Sequence, residues 1–120
     1  MKNDQIQNKV FILRFRRINK DIFDAINNNR KKFETRAATK RYKTMKPWDR
    51  VVLICERHKF NKLVKRVQLF PTIGALLKHY KPSQINPKLK TEKELRAMYN
   101  SFPAYKEKIK KCGLLVFELK

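Results

Sequence analysis

The chain has 120 residues, about one domain on the usual scale of roughly 100–200 residues, and its 42% apolar and 11% aromatic content can build a core without metals or disulfides as staples. It carries 31 Lys plus Arg against 10 Asp plus Glu, a net charge of +21, so it repels itself and attracts polyanions. No run approaches the roughly 18 apolar residues of a membrane helix, and the polar stretch from Met1 to Lys9 lacks the apolar centre of a secretory signal.

A cytoplasmic protein is therefore expected, with residues 1–9 as a flexible N-terminus and residues 10–120 as a single domain. Lys outnumbers Arg by 21 to 10, which codon bias can explain. Codon bias explains less well why Arg57 to Thr91 holds nine basic residues and no acidic one. Cys55 and Cys112 each border an apolar run and read as buried thiols in a reducing compartment, with a disulfide between them the alternative that their even number allows.

Val10 to Ile18 alternates, placing Phe11, Leu13 and Phe15 on one face and Arg14 and Arg16 on the other, the pattern of a half-buried strand. Asn19 is placed to cap a short helix with Ile22, Phe23 and Ile26 on one side. Asn27, Asn28 and Asn29 end it, because Asn tolerates the left-handed conformation. Lys31 to Ala37 alternates again, with Phe33, Thr35 and Ala37 toward a core and Lys32, Glu34 and Arg36 opposite. Residues 38–50 form a basic loop.

Val51 to Cys55 is continuously apolar, as in a strand buried on both sides. A turn near Lys59 to Asn61 leads into a strand from Leu63 to Phe70. Pro71 and Thr72 open a helix whose stripe is Ile73, Leu76, Leu77 and Tyr80. Lys81 to Lys90 reads as an ordered loop. Thr91 and Glu94 have capping-box spacing, and the helix they open carries Leu95, Met98 and Tyr99. A short helix over Ala104 to Lys111 stops at Gly113, and Leu114 to Leu119 is the last strand. The order predicts an α+β fold, a small mixed β-barrel of five or six strands with flanking short helices.

Several cofactor chemistries lack their residues. Gly74 and Gly113 are the two glycines, so there is no phosphate-cradling glycine loop. His58 and His79 are not spaced as zinc ligands, and neither a metal nor a cofactor is expected. The basic loop is more informative. Lys40, Arg41, Lys43, Lys46 and Arg50 interleave with Tyr42 and Trp48, and cations that hold phosphates beside an aromatic that stacks on a base are the signature of single-stranded or looped RNA. Trp48 also fits a core plug beside Pro47. Arg14 and Arg16 add a basic stripe, as do Lys59, Lys62, Lys65 and Arg66, and Lys106, Lys108, Lys110 and Lys111. These would supply salt-dependent backbone affinity.

The run Phe23 to Arg36 (FDAINNNRKKFETR) resembles the opening motif of ASCH domains, in the PUA-like superfamily, where a helix ends at Gly-x-Lys before a strand reading x-x-Glu-x-Arg. Lys46 to Leu53 (KPWDRVVL) is similar to the family's Gly-Asp-x-Val-x-Leu entry to a barrel strand. Val64 to Leu77, Ile85-Asn86-Pro87, Met98, Tyr99, Tyr105 and the terminal GLLVFELK follow in the family's order. Asn29 and Trp48 stand where the family has Gly. The resemblance covers about residues 10–120. It implies a PUA-like barrel with a cleft between barrel and helices, and an association with RNA.

In such a cleft Lys31, Glu34 and Arg36 would offer two cations and an acceptor to a phosphate or a base edge. Some ASCH-like proteins hydrolyse acylated cytidine with a Lys, a Thr and a distant Glu. Here Lys31 matches the Lys, Glu34 occupies the Thr position, and Lys88 and Lys90 lie where the Glu would fall, which argues against that reaction. The expectation is an RNA-binding domain whose site is Lys31, Glu34, Arg36, Arg41, Tyr42, Lys43 and Trp48 with Arg14 and Arg16, DNA being the second candidate ligand and no membrane a partner. The alternatives are a small metal-independent RNA hydrolase, with Lys31 and Tyr99 as its catalytic groups, or a structural ribonucleoprotein component.

Overall fold

A computed structural model describes residues 8–120. Five strands, β1 (Val10–Phe15), β2 (Phe33–Ala37), β3 (Arg50–Cys55), β4 (His58–Phe70) and β5 (Leu114–Leu119), are interspersed with five short helices. These are α1 (Lys20–Asn27), α2 (Ile73–Leu77), α3 (Pro82–Ile85), α4 (Glu92–Ser101) and α5 (Tyr105–Cys112). The strand order is β1-β3-β4-β5-β2. β1 runs parallel to β3 and all other pairs are antiparallel. This is the expected α+β fold, a five-stranded mixed sheet curled into a half-barrel, which fits a small PUA-like β-barrel.

The curl comes from β4. Its 13 residues pair with β3 over His58–Leu63 and with β5 over Val64–Phe70, and the register shifts between Val64 and Arg66. An irregularity of this kind bends a strand and increases its twist. One hydrophobic cluster fills the concave side, with Phe23 and Ile26 of α1 against Leu13, Val51, Leu53, Val64 and Phe117. The second lies between the other face and the later helices, with Leu76, Ile85, Leu95, Tyr99 and Ile109 against Ala37, Leu114 and Val116. β5 serves both, which is why LLVFEL shows no polar alternation in its first four residues.

Four local expectations are corrected. The β3–β4 turn is at Glu56–Arg57, not at Lys59 to Asn61. Those polar residues belong to the exposed half of β4, where solvent on one side weakens the apolar signal. Asn19 starts α1 but its side chain makes no cap hydrogen bond, because a 3-10 turn over Arg17–Asn19 leads directly into the helix. Val51, Leu53 and Cys55 are fully buried whereas Val52 and Ile54 are half-buried, so β3 is not covered equally on both faces. Lys81 to Lys90 contains the one-turn helix α3, with Pro82 at its first position. Cys55 is buried and Cys112 half-buried, both as free thiols.

Asn29 ends α1 in the left-handed region at φ 67°, as its sequence position suggests. Gly113 joins α5 to β5 at φ 85°, and a Cβ there would lie 2.9 Å from the Phe70 carbonyl oxygen. Gly113→Ala is expected to destabilise the fold by about 2 kcal/mol, from the left-handed backbone and the clash together. Urea unfolding measures this, and a loss below about 0.5 kcal/mol would contradict it.

Candidate nucleic-acid interface

α1 turns at Asn29 and delivers Lys31 to the start of β2 with its ammonium inside the protein. The side chain is 1% exposed. Nζ donates to the Phe33 carbonyl and to Glu34 Oε1 at 3.3 Å. Glu34 Oε1 also accepts from the Thr35 N–H at 2.9 Å and stands 3.5 Å from Arg36 Nη1. Among the described residues Glu34 Oε2 makes no hydrogen bond. Arg36 donates to the Thr35 carbonyl at 2.7 Å.

Burial sets the electrostatics of this trio. Desolvation lowers the Lys31 pKa, and the Glu34 carboxylate only partly opposes it. Burial alone would raise Glu34, but the Lys31 and Arg36 cations outweigh it and hold the carboxyl below its usual value. Glu34 in turn outweighs desolvation at Arg36 and raises it. Glu34 is therefore ionised at neutral pH, and Arg36, with its side chain 23% exposed, presents charge outward.

These residues form one wall of a cleft of about 740 Å³. The opposite wall is built by α4, α5 and the Phe102–Pro103 link. Tyr99 and Tyr105 stack at 6.3 Å with an interplanar angle of 5°, and Phe102 packs edge-on against both. The Tyr99 hydroxyl lies 2.6 Å from Thr35 Oγ1, and the Tyr105 hydroxyl accepts from the Ala37 N–H at 3.0 Å, so the two walls are tied together. Burial raises the Tyr99 pKa, which keeps the phenol protonated. Ile18, Ile22, Ile85 and Met98 add apolar surface.

Arg14, Arg16 and Lys108 also line the cleft, so its lining carries five cations and one anion. Arg14 and Arg16 are exposed and make no ion pair among the described residues. Apolar surface, a few converging polar groups and a cationic rim are the usual ingredients of a ligand pocket, and this combination is chemically compatible with an aromatic, polyanionic molecule.

The structure brings together five of the nine expected binding residues, Lys31, Glu34, Arg36, Arg14 and Arg16, and adds Tyr99 to the same cleft. Tyr42 does not line it but is half-buried and stacked on Phe11. Arg41 lies over the Tyr42 ring at 5.3 Å and donates to the Ile12 carbonyl at 3.1 Å. Lys43 is exposed on the loop. Trp48 is not in the cleft but lines a separate hollow with Lys9, Val10 and Arg50.

Thr35 was expected in the core but reaches the cleft through Tyr99. Its position between Glu34 and Arg36 was the available signal. Phe102 and Pro103 line the cleft without any local pattern that marks them, whereas Asn86 lies in the Ile85-Asn86-Pro87 segment of the ASCH resemblance. Among the described residues no group of three or more His, Cys, Asp and Glu could hold a metal ion, and no helix is long and apolar enough to cross a membrane.

No protein-family model and no curated protein matches the chain. Solved structures share its fold, among them these two. The hypothetical protein PH0355 superimposes with a TM-score of 0.73 at 19% identity, over 92% of this chain and 97% of that one. Protein PF0455 from Pyrococcus furiosus gives 0.72 at 22% identity, over 92% and 96%.

Proposed function

We propose that the protein is an RNA-binding domain that holds an unpaired base in the cleft and its phosphates on the cationic rim. The observation that carries this reading is the pairing of chemistries in one cavity. Among the described residues buried Glu34 keeps one oxygen without a donor, an acceptor suited to a base amino group. Phe102, 38% exposed, and half-buried Tyr105 supply aromatic surface, and Arg14, Arg16 and Arg36 supply charge for phosphates. The resemblance of Phe23–Arg36 and Lys46–Leu53 to ASCH motifs agrees with this assignment, and DNA is the competing ligand.

A second reading is favoured by one specific feature. Lys31, with its depressed pKa, lies in the same wall as the Thr35–Tyr99 hydroxyl pair, a set able to move a proton and stabilise a phosphate. This is the hydrolase alternative. Titrating labelled single-stranded RNA, hairpin RNA and duplex DNA, then running each sample on a denaturing gel, separates the readings. Intact RNA bound more tightly than duplex DNA is the expected result. Shortened RNA that stays intact with Lys31→Ala would replace the binding module with an enzyme.

A further inference from the structure

Trp48 is 60% exposed, so core packing does not account for it. Its backbone sits in the left-handed region at φ 76°, where a bulky side chain is disfavoured and glycine is at ease. That conformation is held from both sides. The Trp48 N–H donates to the Val64 carbonyl at 2.8 Å, and the Val64 N–H to the Asp49 carbonyl at 2.8 Å. Buried Asp49 accepts from the backbone N–H groups of Lys9 at 2.8 Å and Lys46 at 2.9 Å. The protein thus fixes a large aromatic on its surface in a conformation that suits a residue with no side chain.

The surroundings match one kind of ligand. Lys120 Nζ lies over the indole at 5.1 Å. Lys9, Arg50 and Val10 line the same hollow of about 400 Å³. The hollow lies at the beginning of β1 and the cleft at its end, with five residue steps from Val10 to Phe15, or roughly 16 Å. β1 is an edge strand, and the exposed side chain of Ile12 lies between the two sites. That span corresponds to about five stacked nucleotides.

We infer that Trp48 is a second, separate base-stacking subsite, flanked by Lys9, Arg50 and Lys120, for the same RNA strand that enters the cleft, a conclusion that rests on the RNA-binding reading above. The strand runs along the outer edge of β1. One base occupies the cleft and another, about five nucleotides away, stacks on the indole. The cations beside Trp48 neutralise the intervening phosphates.

Trp48 is the sole tryptophan in the chain, so its emission reports on this subsite alone. The test is a titration of the full chain with an oligouridylate of roughly ten nucleotides, within the usual site size of single-strand binders, followed by both indole emission and the anisotropy of labelled RNA. Trp48→Gly suits the backbone and is expected to fold, and Trp48→Phe keeps a stacking face. The expected result is quenching that tracks binding, an affinity about tenfold lower for Trp48→Gly (about 1.4 kcal/mol) and near-native affinity for Trp48→Phe. RNA that binds without changing the emission, and binds Trp48→Gly as tightly as the native chain, overturns the second subsite and leaves the cleft assignment standing. No binding at all overturns both. A blue shift with vesicles rich in phosphatidylserine, with none of the RNA response, would assign the indole to a lipid surface instead.

Discussion

Glu34→Gln will destabilise the protein by about 3 kcal/mol at neutral pH, the range seen when one partner of a buried ion pair is removed. The substitution leaves Lys31 1% exposed beside Arg36 with no carboxylate between them. Stability in a domain of this size is roughly 5–15 kcal/mol, so the loss is large but leaves the chain folded. Lys31→Met combined with Glu34→Gln is expected to recover part of it, because the buried ammonium is then gone. Urea unfolding of the three variants measures the coupling. A Glu34→Gln midpoint equal to the native one would mean that the trio is solvated and does not shape the cleft.

The same variant carries a pH signature. The folded-state pKa of Lys31 lies below its usual 10.5, and losing Glu34 lowers it further. Between that value and 10.5 the unfolded chain binds more protons than the folded one, so stability rises with pH. The deficit of Glu34→Gln should therefore narrow as pH is raised toward 10.5. On the acid side the native carboxylate titrates below its usual 4.5. Its contribution is fully present above 4.5 and is lost as pH falls through the folded value, and Glu34→Gln lacks that step.

Arg14→Ala with Arg16→Ala is expected to leave the fold intact and to change how salt acts on RNA binding. Both side chains are exposed and unpaired among the described residues, so little structure depends on them. Each single-strand phosphate neutralised contributes about 0.7 to the slope of log affinity against log salt. Losing two contacts should lower the slope by about 1.4, and affinity by roughly twentyfold at 0.1 M salt. An unchanged slope would place the strand elsewhere, for example on the Lys59–Arg66 stretch of β4.

The legible parts of this molecule are those governed by local pattern. β1 alternates because one face meets the core and the other meets solvent, and its register put Arg14 and Arg16 on the side that reaches the cleft. The Thr91–Glu94 capping box was visible as spacing and forms as such. β2 was misread in detail. Alternation assigns Glu34 and Thr35 to opposite faces, one exposed and one in the core, yet both are buried and both line the cleft. β2 is an edge strand with α3 and α5 packed against it, and its buried ion pairs and hydrogen bonds let polar side chains leave solvent, so the polar signal there no longer marks solvent.

The far wall of the cleft was hidden for a different reason. Thr35 and Tyr99 meet across 64 residues, a contact no window of sequence can contain. Trp48 was grouped with Tyr42 because six residues separate them. The buried Asp49 carboxylate turns the chain between loop and strand, and the two rings end in different places. The resemblance to ASCH motifs supplied the cleft, which periodicity alone did not.

Backbone amide shifts of the labelled protein, followed while single-stranded RNA is added, test the central claim most directly. The account predicts that the largest changes fall on Arg14–Ile22, Thr35–Ala37 and Met98–Lys108, the three segments that meet at the cleft. Small changes scattered over exposed lysines, with those segments unmoved, would contradict it and reduce the +21 charge to non-specific attraction.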